Sequence, residues 1–181
     1  MTSVNHPSGS STLADLEAMP TNDGKRYELV DGHILVTPWP AHYGGTSFRL
    51  GPILSHAVPP GHASYRLCRL DLPDGQRVIP DLMVAPHSSV GDQGVHTPVL
   101  LIVDVLAGLG EDDMARKRAA YVNADVPAYW VIDAEKPLCT CLRLEDGEYR
   151  VYAEGPVIEV DWPLAVSFDV ADVSRPQGAT T

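Results

Sequence analysis

The chain has 181 residues, 44% hydrophobic and 20% charged, which is long enough for one domain with a substantial core. Its formal net charge of −11 argues against a protein that coats nucleic acid through bulk positive charge. Acids that hold a divalent metal ion count as negative until the metal binds, so enzymes acting on nucleic acid are not excluded.

The sequence has no feature of a membrane or secreted protein. No apolar run approaches the ~18 residues that cross a bilayer, and residues 1–11 lack the apolar segment of a signal peptide. Cysteine occurs three times, an odd number. An odd cysteine count without a secretion signal indicates a reducing compartment. We therefore expect a cytoplasmic protein that does not associate with membranes.

The N-terminal part predicts a tail, a short helix and a hairpin. Residues 1–11 are rich in Ser, Gly, Pro and Asn, which is typical of a disordered tail. Thr12 is a suitable capping residue for a short helix. An Asp31-Gly32 turn between two β-rich segments, residues 27–30 and 33–36, is the strongest hairpin signal in the chain.

Three longer segments follow the hairpin. Residues 42–57 predict a helix, although the segment contains Pro52 and three glycines. Residues 64–72 predict a strand. Residues 78–84 predict another strand, and because Pro80 lies inside it, that strand must be at a sheet edge or carry a bulge. The polar residues 86–98 predict a loop.

The stretch from 99 to 133 predicts a strand, a helix and a second strand. Residues 99–103 form a continuous apolar run, which is typical of a strand buried on both faces. The helix formers that follow Asp113 place Asp113, Lys117 and Tyr121 four residues apart, so all three lie along one helix face. Residues 129–132 are β-rich and predict the second strand.

The C-terminal part predicts a second hairpin and two short strands. Residues 140–144 and 149–153 flank an Asp146-Gly147 turn. Residues 157–160 and 166–170 are the short strands. We expect a single domain over residues 12–173, with a loose tail over residues 174–181.

Two aspartates at strand ends are candidates for chemistry. Asp81 follows Pro80 in one strand, Asp104 ends the next, and neighbouring strands bring such carboxylates together. Close like charges favour a cation between them, and Mg²⁺ or Mn²⁺ would activate water and stabilise charge on a phosphate. Lys117 could hold that water or phosphate. Strand-end aspartates are more often turn or cap residues, and Lys117 could be a solvated helix charge paired with Asp113.

The chain resembles the Uma-type restriction endonuclease family, a branch of the PD-(D/E)XK nuclease superfamily found in bacterial genomes. The matching motifs occur in family order and span roughly residues 12–170. They are Tyr27 to Gly32, His42, Pro80-Asp81-Leu82, residues 98–106, the Asp113…Lys117…Tyr121 spacing, and residues 126–133. The resemblance implies an α/β (α+β) fold with a mixed central sheet flanked by helices, N- and C-terminal β-hairpins, and a divalent-metal nuclease site.

The resemblance also implies roles for individual residues. Asp81 would be the first metal ligand, and Asp104 stands where the family usually has glutamate. The superfamily lysine normally follows two residues later, where this chain has Leu106, so its role would move to Lys117. Glu28 would be an additional acid, although an exposed hairpin residue is an equal alternative on the sequence alone.

The chain also matches the family at accessory positions and differs from it at two places. His42 matches a frequent family position, with a capping or surface role as the alternative, and Asp113 and Tyr121 are further accessory residues. Besides Asp104 in place of glutamate, residues 107–110 replace a Ser-Pro-Ser-Thr-like run. The first hypothesis is a Mg²⁺-dependent (or Mn²⁺-dependent) DNA endonuclease, acting as a homodimer on duplex DNA. The alternatives are a catalytically inactive binding or structural module of the same fold and a defence-associated partner protein.

Overall fold

The computed structural model describes residues 10–38, 44–106 and 110–174, and this part of the chain forms a mixed α+β fold. The helices are α1 (Leu13–Glu17), α2 (Gly44–Ala57), α3 (Glu111–Asn123) and α4 (Val170–Ser174). The first eight strands are β1 (Lys25–Val30), β2 (His33–Pro38), β3 (His62–Arg66), β4 (Leu70–Asp71), β5 (Arg77–Val78), β6 (Leu82–Pro86), β7 (Val90–Gly91) and β8 (Gly94–His96). The others are β9 (Leu101–Val105), β10 (Ala128–Asp133), β11 (Leu138–Glu145), β12 (Glu148–Gly155), β13 (Val157–Val160) and β14 (Val166–Asp169).

Two six-stranded sheets organise the fold. The first sheet has the order β2-β1-β5-β4-β8-β7, and the second has the order β12-β11-β10-β9-β6-β3. The second sheet is mixed, because β9 and β10 are parallel and are connected through α3, whereas its other neighbours are antiparallel. It is the central sheet that the sequence predicts, with α2 packed on one face and α3 on the other.

Strand β9 supplies side chains to both faces of the second sheet. Leu101, Val103 and Val105 pack in the core that contains α2, β13, β14 and α4. Ile102 packs in the other core, between the second sheet, α3 and the first sheet. Because side chains alternate along a strand, Asp104 shares the Ile102 face. The strand is fully buried along its length, as its apolar run predicts.

Several predicted elements are confirmed. Thr12 caps α1 in a reciprocal capping box, in which the Asp15 carboxylate accepts from the Thr12 N–H at 2.7 Å. The first hairpin turns through Asp31 and Gly32, which both have positive φ (48° and 67°), as the Asp-Gly pair predicts. The strand–helix–strand unit and the second hairpin are also present. The described part of the predicted 42–57 helix begins at Gly44.

The prediction of one continuous strand for each of the segments 64–72 and 78–84 is wrong, because each divides into two strands that belong to different sheets. The 64–72 segment breaks at Leu67, which has a positive φ of 48°, into β3 of the second sheet and β4 of the first. The 78–84 segment breaks at Pro80 into β5 of the first sheet and β6 of the second. Proline has no N–H for a ladder, so the chain changes sheets there.

Other expectations have mixed outcomes. The predicted loop 86–98 contains the short strands β7 and β8. Within the described residues, no helix is both long and apolar enough to span a membrane. The predicted tails lie mostly outside the described residues, and the domain boundaries stay predictions. Ser11 is nevertheless buried, and its N–H donates to Gly32 O at 2.7 Å.

Candidate functional site

Five charged side chains meet between the two sheets and α3, and we refer to them as the ionic cluster. They are Arg26 and Glu28 on β1, Asp81 just before β6, Asp104 on β9, and Lys117 on α3. None of these five residues is more than 4% exposed. Charged side chains are almost never buried unless they are paired, so the contacts within the cluster must compensate for the lost hydration.

Lys117 connects two of the carboxylates. Its Nζ donates to Glu28 Oε1 at 3.2 Å and to Asp104 Oδ1 at 3.1 Å, and the side chain is fully buried. Burial opposes the charged form of this lysine, but the carboxylates of Asp104 and Glu28 outweigh it and keep the Lys117 pKa above its usual value. Lys117 is therefore a buried ammonium with two acidic partners, and the alternative of a solvated helix charge is wrong.

Asp104 accepts hydrogen bonds from side chains of two neighbouring elements, α3 and β10. Besides Lys117, the hydroxyls of Tyr121 and Tyr129 each donate to its Oδ2 at 3.2 Å. Burial, and after it the nearby Asp104 carboxylate, raises the pKa of both tyrosines well above its usual value, so both remain protonated donors. Three donors from α3 and β10 thus fix the orientation of this carboxylate.

Asp81 is fixed by a different pair of donors. Arg26 Nη1 donates to its Oδ1 at 3.1 Å, and the Val105 N–H donates to its Oδ2 at 2.8 Å. Burial raises the pKa of Asp81 and the Asp104 carboxylate adds to that, whereas Arg26 opposes the rise; the resulting pKa lies above its ordinary value. Asp81 lies on the same face of the second sheet as Asp104, because Leu82 pairs with Val103 in the antiparallel β6–β9 ladder and Asp81 is therefore opposite Asp104.

Glu28 links the cluster to the kink at Pro80. Its Oε1 accepts from the Ile79 N–H at 2.7 Å as well as from Lys117, and Arg26 Nη1 donates to Ile79 O at 3.1 Å. The backbone between the two sheets is therefore satisfied by cluster side chains instead of a strand ladder. Glu28 Oε2 has no hydrogen-bond partner among the described residues, and Arg26 Nε lies 3.5 Å from it. Glu28 is fully buried, so the exposed alternative is wrong.

The carboxylates of the ionic cluster are the kind of ligand that a hard divalent cation such as Mg²⁺ prefers. Three carboxylates face two protein cations, which leaves one formal negative charge in excess, and no residue in the described part of the chain donates to the buried Glu28 Oε2. Within the described residues, however, no three acidic, histidine or cysteine side chains are arranged to hold a metal directly. Arg26 and Lys117 meet the negative charge instead, so metal uptake requires one of them to yield a contact.

The structure brings Glu28, Asp81, Asp104, Lys117 and Tyr121 together, as five of the seven candidate residues. Asp113 is half-buried one turn before Lys117, which pairs with Glu28 and Asp104 in its place. His42 lies outside the described residues.

Sequence reasoning missed two members of the site. Arg26 contacts Asp81 and approaches Glu28, and Tyr129 donates to Asp104. Strand alternation was the available signal for Arg26, because extending the predicted 27–30 strand by one residue places residues 26 and 28 on the same face. The same alternation places Tyr129 and Trp130 on opposite faces of the second sheet, and Trp130 packs in the core on the α2 side. Neither signal identifies the partner carboxylate.

Comparison with known proteins gives the family and the fold of the chain. The model of the Uma2 family, described as "Putative restriction endonuclease", matches residues 13–169. A solved structure described as "a putative nuclease belonging to DUF820 from Anabaena variabilis" has a TM-score of 0.70 and 16% sequence identity. The match covers 90% of this chain and 97% of that one, and it supports the same fold. No curated protein matches the chain.

Proposed function

Because the chain belongs to the Uma2 restriction endonuclease family, we propose that it is a Mg²⁺-dependent DNA endonuclease that hydrolyses phosphodiester bonds. The observation that carries the proposal is the ionic cluster: three carboxylates and a lysine, far apart in the chain, share one buried site. Buried carboxylates with an excess negative charge are rarely kept for stability alone, because burial is costly unless the charges are compensated.

Each member of the cluster has a role in this proposal. Asp81 and Asp104 would hold the metal ion, with Glu28 as a further acid at the site. A bound Mg²⁺ would supply an acidified water and neutralise charge that develops on phosphorus. Lys117 has three N–H donors and uses two of them on Glu28 and Asp104, so the third would orient the attacking water or a phosphate oxygen.

The remaining side chains position the acids. Tyr121 and Tyr129 donate to Asp104 and restrict its rotation, and Arg26 does the same for Asp81. Asp104 is one methylene shorter than glutamate, which would move a ligand oxygen by about 1 Å, a shift that affects rate strongly. A slow enzyme is the expected consequence.

The test is metal-dependent nicking of supercoiled plasmid DNA. We expect the wild-type chain to convert plasmid to the open form with Mg²⁺ or Mn²⁺, and Asp81→Ala to lose this activity. Asp92→Ala is the matched control, because Asp92 is an exposed carboxylate in the turn between β7 and β8. Asp81→Asn preserves an acceptor for the Val105 N–H, so its loss of activity would separate catalysis from folding. Equal nicking by wild type and both Asp81 variants would refute the mechanism.

A specific observation favours a second function, a DNA-binding or structural module without catalysis. Five of the six oxygens of Glu28, Asp81 and Asp104 already accept hydrogen bonds from the protein. Titration calorimetry with Mn²⁺ discriminates the two functions. Heat of binding that disappears in Asp104→Asn supports the endonuclease, whereas no uptake at millimolar Mn²⁺ supports the module.

We also propose that two copies act together in the cytoplasm. Cutting both strands of a duplex requires two sites, which a twofold homodimer supplies. The three thiols are free, and the Cys139 and Cys141 sulfurs are 3.8 Å apart, which suits a reducing compartment. Light scattering at several concentrations tests the dimer, and a monomer at every concentration would contradict it.

A further inference from the structure

An aromatic side chain and an arginine form an exposed pair outside the ionic cluster. Phe48 on α2 is 61% exposed, which is unusual for phenylalanine. The guanidinium of Arg66, at the end of β3, lies 4.7 Å from the centre of the Phe48 ring. Arg66 is itself exposed, and among the described residues it has no carboxylate partner. The pair therefore presents a ring and an uncompensated positive charge to the solvent.

The pair lines an open cavity of about 270 Å³. Its other walls include Gly51 and Pro52 of α2, and the hydroxyls of Ser55 and Ser64, which are hydrogen-bonded to each other. Typical pockets for drug-sized ligands are about 300–1,000 Å³, so this cavity suits a group the size of one nucleobase. A flat apolar ring, hydroxyls and one cation are the groups that contact a nucleotide in single-stranded DNA complexes.

The cavity is next to the chain segment that carries Asp81. Arg66 pairs with Leu82 in the β3–β6 ladder, and the Leu67 N–H donates to Asp81 O at 3.2 Å. Leu82 also lines the cavity, whereas the Asp81 side chain belongs to the ionic cluster on the other side of the sheet. β3 is the edge strand of the second sheet, so no strand of the described residues covers this side.

We propose that the Phe48–Arg66 cavity binds one unpaired nucleotide of the DNA strand that the ionic cluster acts on, with the base stacked on Phe48 and its phosphate on Arg66. This inference rests on the proposed function and specifies how its substrate is held. Charge supports a DNA occupant, because a chain with a net charge of −11 repels phosphates except near unpaired cations. Base stacking needs no particular base, so this contact holds DNA without sequence preference.

The experiment is binding of a fluorescein-labelled single-stranded oligodeoxynucleotide, followed by anisotropy without divalent metal so that cleavage plays no part. Phe48→Ala should weaken binding about 5- to 150-fold, the range for loss of one stacked base. Phe48→Trp should keep the wild-type affinity. Val151→Ala is the matched control, because Val151 is 57% exposed on the distant edge strand β12 and should bind as wild type does.

Arg66→Gln should weaken binding and lower the slope of log affinity against log salt by about one, as expected for one lost phosphate contact. Unchanged binding by Phe48→Ala would overturn the inference and leave the endonuclease intact. Absence of oligonucleotide binding by the wild-type chain would also overturn the inference, while plasmid nicking judges the endonuclease separately. A change of oligomeric state in Phe48→Ala would mean that this face binds a second copy, which likewise overturns the inference.

Discussion

Lys117 is the residue on which the buried charges depend most directly. It is the cation that Glu28 and Asp104 share, and its side chain has no exposure to water. Removing one partner of a buried ion pair leaves an uncompensated charge, which costs far more than the net contribution of the intact pair. The cluster is thus weak evidence for stability and stronger evidence for a site that requires these groups together.

Lys117→Met should therefore destabilise the protein by about 3–5 kcal/mol, because the methionine fills the volume but removes the cation that Glu28 and Asp104 share. Urea unfolding at neutral pH measures the change. Lys136→Met is the control, since Lys136 is 79% exposed and pairs with Asp133 at the surface, where an ion pair contributes little. Equal stability of Lys117→Met and wild type would mean that Lys117 does not compensate buried negative charge on Glu28 and Asp104.

At the scale of elements, the two hairpin turns allow backbone strain to be separated from a steric clash. Gly32 and Gly147 both follow an aspartate in the turn and have similar positive φ values of 67° and 78°. A Cβ at Gly32 would collide with Ser10, whereas a Cβ at Gly147 would meet nothing within 4 Å. The first hairpin is therefore tied to the chain before α1, and the second is not.

Gly147→Ala should cost about 1 kcal/mol from strain alone. Gly32→Ala should cost more, because it adds the collision with Ser10 to the same strain. Thermal unfolding of the two variants under identical conditions measures the difference. A Gly32→Ala variant as stable as Gly147→Ala would show that the segment before α1 does not pack on the turn.

Short strands of the first sheet depend on a charge network in place of a long ladder. Asp71 of β4 accepts from Arg69 Nη2 at 2.7 Å and from Arg77 Nε of β5 at 2.7 Å. Burial opposes ionisation of Asp71, but the hydrogen bonds from the two arginines outweigh it, so its pKa lies below its ordinary value. Because the pKa of Asp71 is lower in the folded than in the unfolded state, its ionisation stabilises the fold at pH values above the unfolded pKa of about 3.9. This stabilisation is lost as the pH falls through the folded-state pKa.

Asp71→Asn should consequently be less stable than wild type at pH 7, and the difference should shrink as the pH falls below about 4. Urea midpoints for the two chains between pH 7 and pH 3 provide the measurement. Asp74→Asn is the control: Asp74 is exposed in the neighbouring turn, and asparagine tolerates its positive φ of 61°. A difference that is independent of pH would contradict the role of ionised Asp71.

The elements also show where sequence patterns are sufficient. Local signals are enough for the capping box at Thr12 and for the Asp31-Gly32 turn, because each depends on residues within four positions. They fail at Leu67 and Pro80, where the chain moves between sheets. A single apolar run fits either sheet equally well, and only tertiary packing decides which half joins which ladder.

In the site, too, features within one element can be predicted from the sequence, whereas contacts between elements cannot. The helical spacing of Lys117 and Tyr121 and the strand position of Asp104 can be predicted, because each is a periodicity within one element. The contact of Arg26 with Asp81 cannot, because it depends on how the first sheet packs on the second across 55 positions of sequence. Motif resemblance supplied the grouping that periodicity alone left open.

For the whole molecule, the position of the cluster joins the two sheets into one unit. Arg26 and Glu28 belong to the first sheet, whereas Asp104 lies in the second, and Lys117 comes from the helix between β9 and β10. The core around Ile102 contains residues of both sheets and of α3. On the other face, β9 also carries the core that contains Trp130 and α2. Loss of packing on either face of β9 must therefore affect the other.

Ile102→Ala should lower the free energy of unfolding by about 2–5 kcal/mol, since Ile102 is fully buried in a core shared by both sheets and α3, which cannot all collapse onto the cavity. Its unfolding should remain a single transition. Two of the three tryptophans, Trp130 and Trp162, pack in the opposite core, so tryptophan fluorescence reports mainly on that core. Far-UV circular dichroism reports on both sheets, so the two midpoints should shift together. Val151→Ala, exposed at the edge of the second sheet, should stay within about 0.5 kcal/mol of wild type. Two separate transitions would mean that the sheets fold independently, in which case the ionic cluster would form only after they dock.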